Sequence, residues 1–90
     1  MKYQLRFEKK ALQDIKKITS SGRKVDIEKL DLILEELKLN PTSGIGRPEQ
    51  LKHHLSGYWI RRINKKDRLI YEIIEEPEKS VVIISALGHY

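Results

Sequence analysis

The spacing of hydrophobic residues changes along the chain, and each spacing predicts a different element. In the segment "KYQLRF", apolar and polar residues alternate, which predicts a first strand with Tyr3, Leu5 and Phe7 on one face. From Glu8 onward, the spacing becomes helical. The apolar residues that form the buried stripe of this helix are Phe7, Ala11, Leu12, Ile15 and Ile18. This helix should end at "TSSG", because Gly22 readily adopts the conformation that stops a helix.

A second helix is predicted over residues 24–38. Its apolar stripe comprises Ile27, Leu30, Leu34 and Leu37. Pro41 and the run "NPTSGIGRPE" break the pattern, since proline cannot continue a helix. Only a short polar turn separates the two helices, and we therefore expect them to pair antiparallel.

The second half of the chain predicts strands. "GYWIRRI" and "RLIYEII" are rich in branched and aromatic residues and flank the turn "NKKD", which is typical of a β-hairpin. "SVVIISAL" is apolar on both faces and suits an interior strand, reached through the turn "EEPEKS". A further short strand is expected at residues 51–54.

The resulting order, β-α-α-β-β-β, predicts an α+β fold in a single domain, residues 1–90. Two helices from the N-terminal half would pack on one face of a mostly antiparallel sheet of four to five strands. The other face of the sheet would stay partly open, with the basic residues of the hairpin on it or along its edge.

Composition narrows the class of protein. No apolar run approaches the roughly 20 residues that cross a bilayer, and the N-terminus lacks the apolar core of a secretory signal. We therefore expect a cytoplasmic protein without membrane association. The chain has no cysteine, which excludes a disulfide framework, a thiolate nucleophile and a Cys-ligated zinc.

Positive charge is concentrated in one window. The chain has a net charge of +5, and residues 47–68 hold seven basic and two acidic side chains, so this window carries the whole excess. Such a surface suits nucleic acid, an anionic membrane or an acidic protein partner, and a solvated basic hairpin is equally compatible. Its basic members are Arg47, Lys52, Arg61, Arg62, Lys65, Lys66 and Arg68.

The C-terminal half favours chemistry without a metal. Two-metal nucleases need clustered carboxylates, whereas the acids here lie mostly in the turn "EEPE". His53 and His54 are adjacent, so on a strand they would point to opposite faces and could not share an ion. We therefore predict no metal site and no cofactor.

The remaining acids, bases and cations suit the cleavage of RNA through its own 2′-OH. That reaction needs a base for the 2′ proton, cations for the phosphorane and an acid for the leaving 5′-oxygen. The same residue types occur on inert basic surfaces, so the inventory alone leaves catalysis open. The set comprises Glu49, Lys52, His53, Arg61, Arg62, Arg68, His89 and Tyr90.

One long stretch resembles a known family. "GIGRPEQLKHHLSGYWIRRINKKDRLIYEI", followed by a terminal "HY", resembles the signature of the YoeB/Txe toxins in the RelE/ParE superfamily of type II toxin–antitoxin systems. The resemblance implies a RelE-like fold and a ribosome-dependent, metal-independent endoribonuclease that cuts mRNA in the A site and inhibits translation. It also implies a YefM/Phd-type antitoxin, which covers the active face with an acidic segment, and often a homodimer.

The resemblance implies a role for each matched residue. Glu49 would be the general base, Arg68 would stabilise the phosphate transition state, and His89 would be the general acid. Tyr90 would hold the scissile nucleotide, by stacking or through its hydroxyl and carboxylate. The residues that would bind the mRNA backbone or ribosomal RNA are Lys52 and Arg62.

The hairpin adds three expectations. Lys65 and Lys66 lie at its turn, from which they could touch phosphates of ribosomal RNA. Alternation along the strand places Arg61 and Arg62 on opposite faces, and the family motif selects Arg62 as the one that faces solvent or RNA. Tyr71 is expected in the core.

Two functions other than catalysis stay open. A small basic module could bind RNA or the ribosome and block translation without cutting, and an interaction domain would need only an acidic partner. Enzyme and RNA-binding module both predict salt-dependent binding. Only the enzyme predicts EDTA-resistant cleavage that His89→Gln or Glu49→Ala abolishes while binding survives.

Overall fold

The computed structural model describes residues 2–88 of the chain. Within this range the structure has two helices, five strands and one 3₁₀ turn. In chain order these are β1 (Gln4–Phe7), α1 (Lys9–Ser20), α2 (Lys24–Leu37), β2 (Glu49–Gln50), the 3₁₀ turn (His53–Leu55), β3 (Tyr58–Arg62), β4 (Arg68–Ile74) and β5 (Ser80–Ser85).

The five strands form one sheet in the order β1-β5-β4-β3-β2. The pairs β2–β3, β3–β4 and β4–β5 are antiparallel, and only β1 runs parallel to its neighbour, β5. The predicted α+β fold with a mostly antiparallel sheet is therefore confirmed. The apolar segment "SVVIISAL" forms an interior strand, as its lack of a polar face predicts, because β5 has a neighbour on each side.

The core lies between the helices and one face of the sheet. Leu69 and Tyr71 on β4, and Val81 and Ile83 on β5, sit at alternate positions and are completely buried in one apolar cluster. The helices contribute Ala11, Ile18, Leu30, Ile33 and Leu37 to the same cluster. Because all these strand residues point the same way, the helices cover one face of the sheet and not the other.

The helical stripes were predicted only in part. Leu12 was assigned to the buried stripe of α1 but is 55% exposed, whereas Ile33 of α2 is completely buried and was missed. The inward position of α1 that follows Ala11 is taken instead by Asp14, which is 4% exposed. Periodicity alone could not distinguish these positions, since several of them lie close to the edge of each stripe.

The short strand predicted at residues 51–54 was wrong in position. The paired residues are Glu49 and Gln50, and the next residue, Leu51, is 5% exposed and donates its N–H to the Tyr58 carbonyl oxygen at 2.9 Å. His53 has a positive φ of 62° and begins the 3₁₀ turn. The two histidines are therefore not on a strand, and the argument that they point to opposite faces does not apply.

Candidate active site on the open face of the sheet

Strand register brings three charged residues onto the face opposite the helices. Glu49 of β2 pairs with Ile60 of β3, and two residues further along β3, Arg62 pairs with Arg68 at the start of β4. Directly paired residues share a face, and so do residues two apart on one strand. Glu49, Arg62 and Arg68 therefore project from the same side, one carboxylate beside two guanidinium groups.

The two adjacent arginines have opposite environments, as strand alternation predicts. Arg61 points toward the helices and is completely buried, whereas Arg62 is half-buried on the open face. The Nε atom of Arg62 is itself buried and has no hydrogen-bond partner among residues 2–88. Arg61 belonged to the inventory of candidate chemical groups, and its burial removes it from the surface that RNA could reach.

Arg61 forms hydrogen bonds that hold the loop leading to Glu49. Its guanidinium donates to the Glu36 carboxylate at 2.7 Å and to the Tyr71 hydroxyl oxygen at 3.1 Å. It also donates to three carbonyl oxygens of the loop, at 2.9 to 3.0 Å, which belong to Asn40, Ser43 and Ile45. These hydrogen bonds hold the loop between α2 and β2 against the core, and Glu49 follows this loop as the first residue of β2.

Tyr71 completes this buried cluster. Its O–H donates to the Pro41 carbonyl oxygen at 2.6 Å, next to the loop carbonyls held by Arg61. Burial raises the pKa of the Tyr71 hydroxyl, although the hydrogen bond and charge of Arg61 oppose the shift. The phenol therefore stays protonated and serves as a donor. Its predicted place in the core is confirmed.

The backbone beside Glu49 is also held directly to β3. The Arg62 N–H donates to the Gly46 carbonyl oxygen at 2.6 Å, which joins the loop to the strand that carries the open-face arginine. Arg47 follows with a positive φ of 53°, uncommon for a residue with a side chain. After Arg47 the chain enters β2, in which Glu49 is exposed.

Arg68 is positioned by the turn that precedes it. Its guanidinium Nη1 donates to the carbonyl oxygens of Asn64, at 2.8 Å, and Asp67, at 3.3 Å. The Asn64 side-chain oxygen accepts the N–H groups of Lys66 and Asp67, which fixes the shape of the turn. Arg68 is half-buried, and its pairing with Arg62 places it on the open face.

Two buried carboxylates hold the segment after β5, and the sequence patterns did not identify either one. Asp14 Oδ2 accepts the Ala86 N–H at 3.0 Å, and Asp67 Oδ1 accepts the Gly88 N–H at 2.9 Å. For Asp14 a signal was present, because it lies three residues after Ala11 and four before Ile18, on the apolar stripe. Asp67 gave no such signal.

The pKa values of both carboxyls lie below their usual range. Burial by itself would raise the pKa of Asp14, but hydrogen bonds from Lys10 and from the Ala86 N–H outweigh it. Burial would likewise raise the pKa of Asp67, but hydrogen bonds from the Gly88 N–H and from the Asn64 amide outweigh this effect and lower it. Both groups are therefore acceptors in their charged form.

Similarity to known proteins identifies the family. A model of the YoeB-like toxin of bacterial type II toxin–antitoxin systems matches residues 7–90. The chain belongs to this family. The resemblance predicted from "GIGRPEQLKHHLSGYWIRRINKKDRLIYEI" and the terminal "HY" is thereby confirmed, and the match extends it over nearly the whole chain.

Individual YoeB proteins agree with this assignment. A toxin YoeB from Synechocystis is 42% identical over 64 residues, which cover 71% of each chain. The YoeB dimer from Staphylococcus aureus is 32% identical, with a TM-score of 0.81 over the whole of both chains. The YoeB–YefM complex from the same organism has the same identity and coverage, with a TM-score of 0.78. The RelE-like fold is therefore confirmed.

The other predicted site residues are the three lysines and the terminal pair. Lys52 is exposed just before the 3₁₀ turn, and Lys65 and Lys66 are exposed in the turn between β3 and β4. His89 and Tyr90, the predicted acid and nucleotide-holding residue, lie outside the described residues. Their attachment point, Gly88, is hydrogen-bonded to the turn that carries Arg68.

Two further properties concern residues 2–88. No helix in this range is long and apolar enough to cross a membrane. In the same range, no three or more histidine or acidic side chains converge in a way that could hold a metal ion.

Proposed function

We propose that the chain is a ribosome-dependent, metal-independent endoribonuclease toxin that cleaves mRNA in the A site and so inhibits translation. The observation that carries this proposal is the grouping of Glu49, Arg62 and Arg68 on the open face of the sheet in a YoeB-like toxin. A carboxylate beside two guanidinium groups provides a base next to phosphate-binding cations, as attack by a 2′-OH requires.

In this mechanism each group has one task. Glu49 takes the proton of the 2′-OH, and the 2′-oxygen then attacks the phosphorus. Arg68 stabilises the charge that builds on the phosphorane. As the bond to the 5′-oxygen breaks, His89 gives that oxygen its proton, which leaves a 2′,3′-cyclic phosphate and a 5′-hydroxyl. Tyr90 holds the scissile nucleotide.

Basic residues around this centre bind RNA without reading its sequence. Arg62 lies on the open face beside Arg68 and contacts the mRNA phosphates. The three exposed lysines in the same part of the chain, which contact mRNA or ribosomal RNA phosphates, are Lys52, Lys65 and Lys66.

The toxin also acts with protein partners. Its relative from Staphylococcus aureus occurs both as a dimer and in a complex with YefM. We propose that this chain likewise binds a YefM/Phd-type antitoxin and can form a homodimer. The net charge of +5, concentrated in residues 47–68, suits an acidic antitoxin segment that covers the open face.

The direct test adds the purified toxin to ribosomes programmed with a defined mRNA. Wild type is compared with Glu49→Gln and His89→Gln, and the RNA is examined by primer extension. We expect a cut at the A-site codon with wild type and a loss of about 100-fold or more in each variant, as for removal of a general acid or base. His54→Gln is the matched control, because it removes an exposed imidazole that has no assigned role in the reaction.

The same assay distinguishes a nuclease from a non-catalytic binding module. If wild type and His89→Gln stall translation equally and no RNA is cut, the nuclease proposal is wrong and a non-catalytic RNA- or ribosome-binding module takes its place. Ribosomes themselves need magnesium, so metal independence is tested on free RNA at high toxin concentration in EDTA. Cleavage that required added metal there would contradict the metal-independent mechanism.

A further inference from the structure

Gly88 is held through both of its backbone groups. Its N–H donates to Asp67 Oδ1 at 2.9 Å, and its carbonyl oxygen accepts the Arg68 N–H at 3.1 Å. This carbonyl is part of the peptide bond that joins Gly88 to His89. Gly88 is therefore bonded to two consecutive residues, Asp67 at the end of the turn and Arg68 at the start of β4.

The anchor is built into the fold. Asp67 is only 5% exposed, and its second oxygen, Oδ2, accepts the Asn64 side-chain amide at 3.0 Å. The Asp67 N–H donates to Asn64 Oδ1 at 2.6 Å, so both the backbone and the side chain of Asp67 are fixed by the same residue. The Arg68 guanidinium donates to carbonyl oxygens of this turn as well. One turn thus holds the side chain of Arg68 and the residue before His89.

The paired residues of β5 end before this anchor. β5 ends at Ser85, three residues before Gly88. Beyond the strand, Ala86 is held by Asp14, Leu87 packs against the core, and Gly88 is held by Asp67. A charged acceptor makes a shorter and stronger hydrogen bond than a neutral one, which suits a contact that must hold a chain end in place.

We propose that Asp67 is a positioning residue for the ribonuclease reaction, which fixes the chain end that carries His89 and Tyr90 in register with the guanidinium of Arg68. This inference rests on the proposed function. Asp67 acts through Gly88 and does not touch the RNA. A displacement of about 1 Å in a reacting group can cost about 100-fold in rate, so loss of this single contact should be visible in catalysis.

The kinetic test compares Asp67→Ala, Asp67→Asn and Asp26→Asn in single-turnover cleavage on saturating programmed ribosomes. Asp26 is the matched control, because it accepts the same Asn64 amide, at 2.9 Å, through a carboxylate that does not contact Gly88. We expect Asp67→Ala to lower the cleavage rate about 10- to 100-fold while the ribosome concentration at half-saturation stays unchanged. Asp67→Asn should lie between, since its amide oxygen still accepts the Gly88 N–H, and Asp26→Asn should match wild type.

A second measurement separates this inference from the proposed function. In NMR of the free toxin, Asp67→Ala should speed hydrogen exchange of the Gly88 amide at least about tenfold and shift the His89 ring signals, with the core amides unchanged. If wild type cuts no RNA, the proposed function fails, but the NMR comparison still tests the anchor. If Asp67→Ala does not fold, Asp67→Asn carries both measurements. Wild-type cleavage rates, or an unchanged Gly88 amide in a folded variant, would overturn the proposal.

Discussion

At the scale of single residues, neighbouring arginines divide between structure and function. Arg61 and Arg62 follow each other on β3, so the strand points one into the core and the other onto the open face. Arg61 makes five hydrogen bonds there, as many as a guanidinium has N–H groups. A side chain that would be costly to bury alone is thus fully paired.

Replacement of each arginine should separate the two roles. We expect Arg61→Met to lower the free energy of unfolding by about 3 kcal/mol, because Glu36 and three loop carbonyls lose their donor. Arg62→Met should cost less than about 1 kcal/mol but weaken RNA cleavage, since the buried Nε of Arg62 gives up no hydrogen bond within residues 2–88. Urea unfolding and the ribosome assay measure the two effects. Equal destabilisation by both substitutions would contradict this division.

Gly46 is constrained by space as well as by backbone conformation. A methyl group added there would lie 2.9 Å from the Arg62 carbonyl oxygen, with φ at +81°. Gly22 has nearly the same φ, +77°, with open space around it. We expect Gly22→Ala to cost about 1 kcal/mol for the left-handed conformation alone, and Gly46→Ala at least about 1 kcal/mol more, because the clash is with backbone. Urea unfolding of both variants checks this, and equal losses would show that the close approach is harmless.

At the scale of elements, α1 and the β3–β4 turn hold the end of β5 from two sides. Asp14 reaches from α1 to Ala86, and Asp67 reaches from the turn to Gly88. The ion pair of Asp14 with Lys10 has a Lys10 side chain that is 62% exposed, so we expect it to contribute little. The buried bonds to backbone N–H groups are the ones that tie these elements together.

These two carboxylates predict how stability depends on pH. The pKa of each is lower in the folded chain than its ordinary value of 3.8. Their contribution is therefore complete above about pH 4 and is lost as the pH falls through the lower folded values. We expect the free energy of unfolding of wild type to fall in this acidic range, and that of the Asp14→Asn/Asp67→Asn double variant to fall less steeply. Urea titrations at several pH values test this, and identical slopes would refute it.

At the scale of the whole molecule, the fold separates a packed face from a charged one. The helices cover one side of the sheet, and the open side collects Glu49, Arg62 and Arg68. The window of residues 47–68, which holds the whole net charge, contains these residues and the exposed lysines of the turn. A charge distribution of this kind attracts a polyanion to the face where the chemistry is proposed.

Salt dependence should locate the RNA-binding surface. We expect Lys65→Gln/Lys66→Gln to lower the slope of log affinity against log salt by about 1 to 2, since each phosphate contact to single-stranded RNA contributes about 0.7. Lys16→Gln/Lys17→Gln is the matched control, because it removes the same charge from exposed neighbours on α1. Binding of a catalytically inactive His89→Gln toxin to RNA and to ribosomes, measured over a series of KCl concentrations, provides the slopes. Equal slopes for the two double variants would mean that only net charge matters.

Much of the molecule could be predicted from local patterns. Alternation and helical spacing gave the order of helices and strands, the interior position of β5 and the opposite orientations of Arg61 and Arg62. These properties depend on residues a few positions apart, whose geometry is fixed by the periods of strand and helix. The YoeB/Txe motif added the assignment of Glu49 and Arg68, which the strand register places on one face.

What only the tertiary structure decided depends on contacts between distant parts of the chain. Asp14 meets Ala86 across 72 positions, and Arg61 binds loop carbonyls up to 21 positions away. The periods of helix and strand relate only residues that are close in sequence. They therefore do not predict which distant group a buried carboxylate or arginine will bind. The sequence by itself determined the order of the helices and the longer strands, the basic window of residues 47–68 and the resemblance to the family. The tertiary structure decided which polar side chains are buried to hold the loop of Glu49 and the chain end beside Arg68, because buried polar groups depend on partners that only folding brings together.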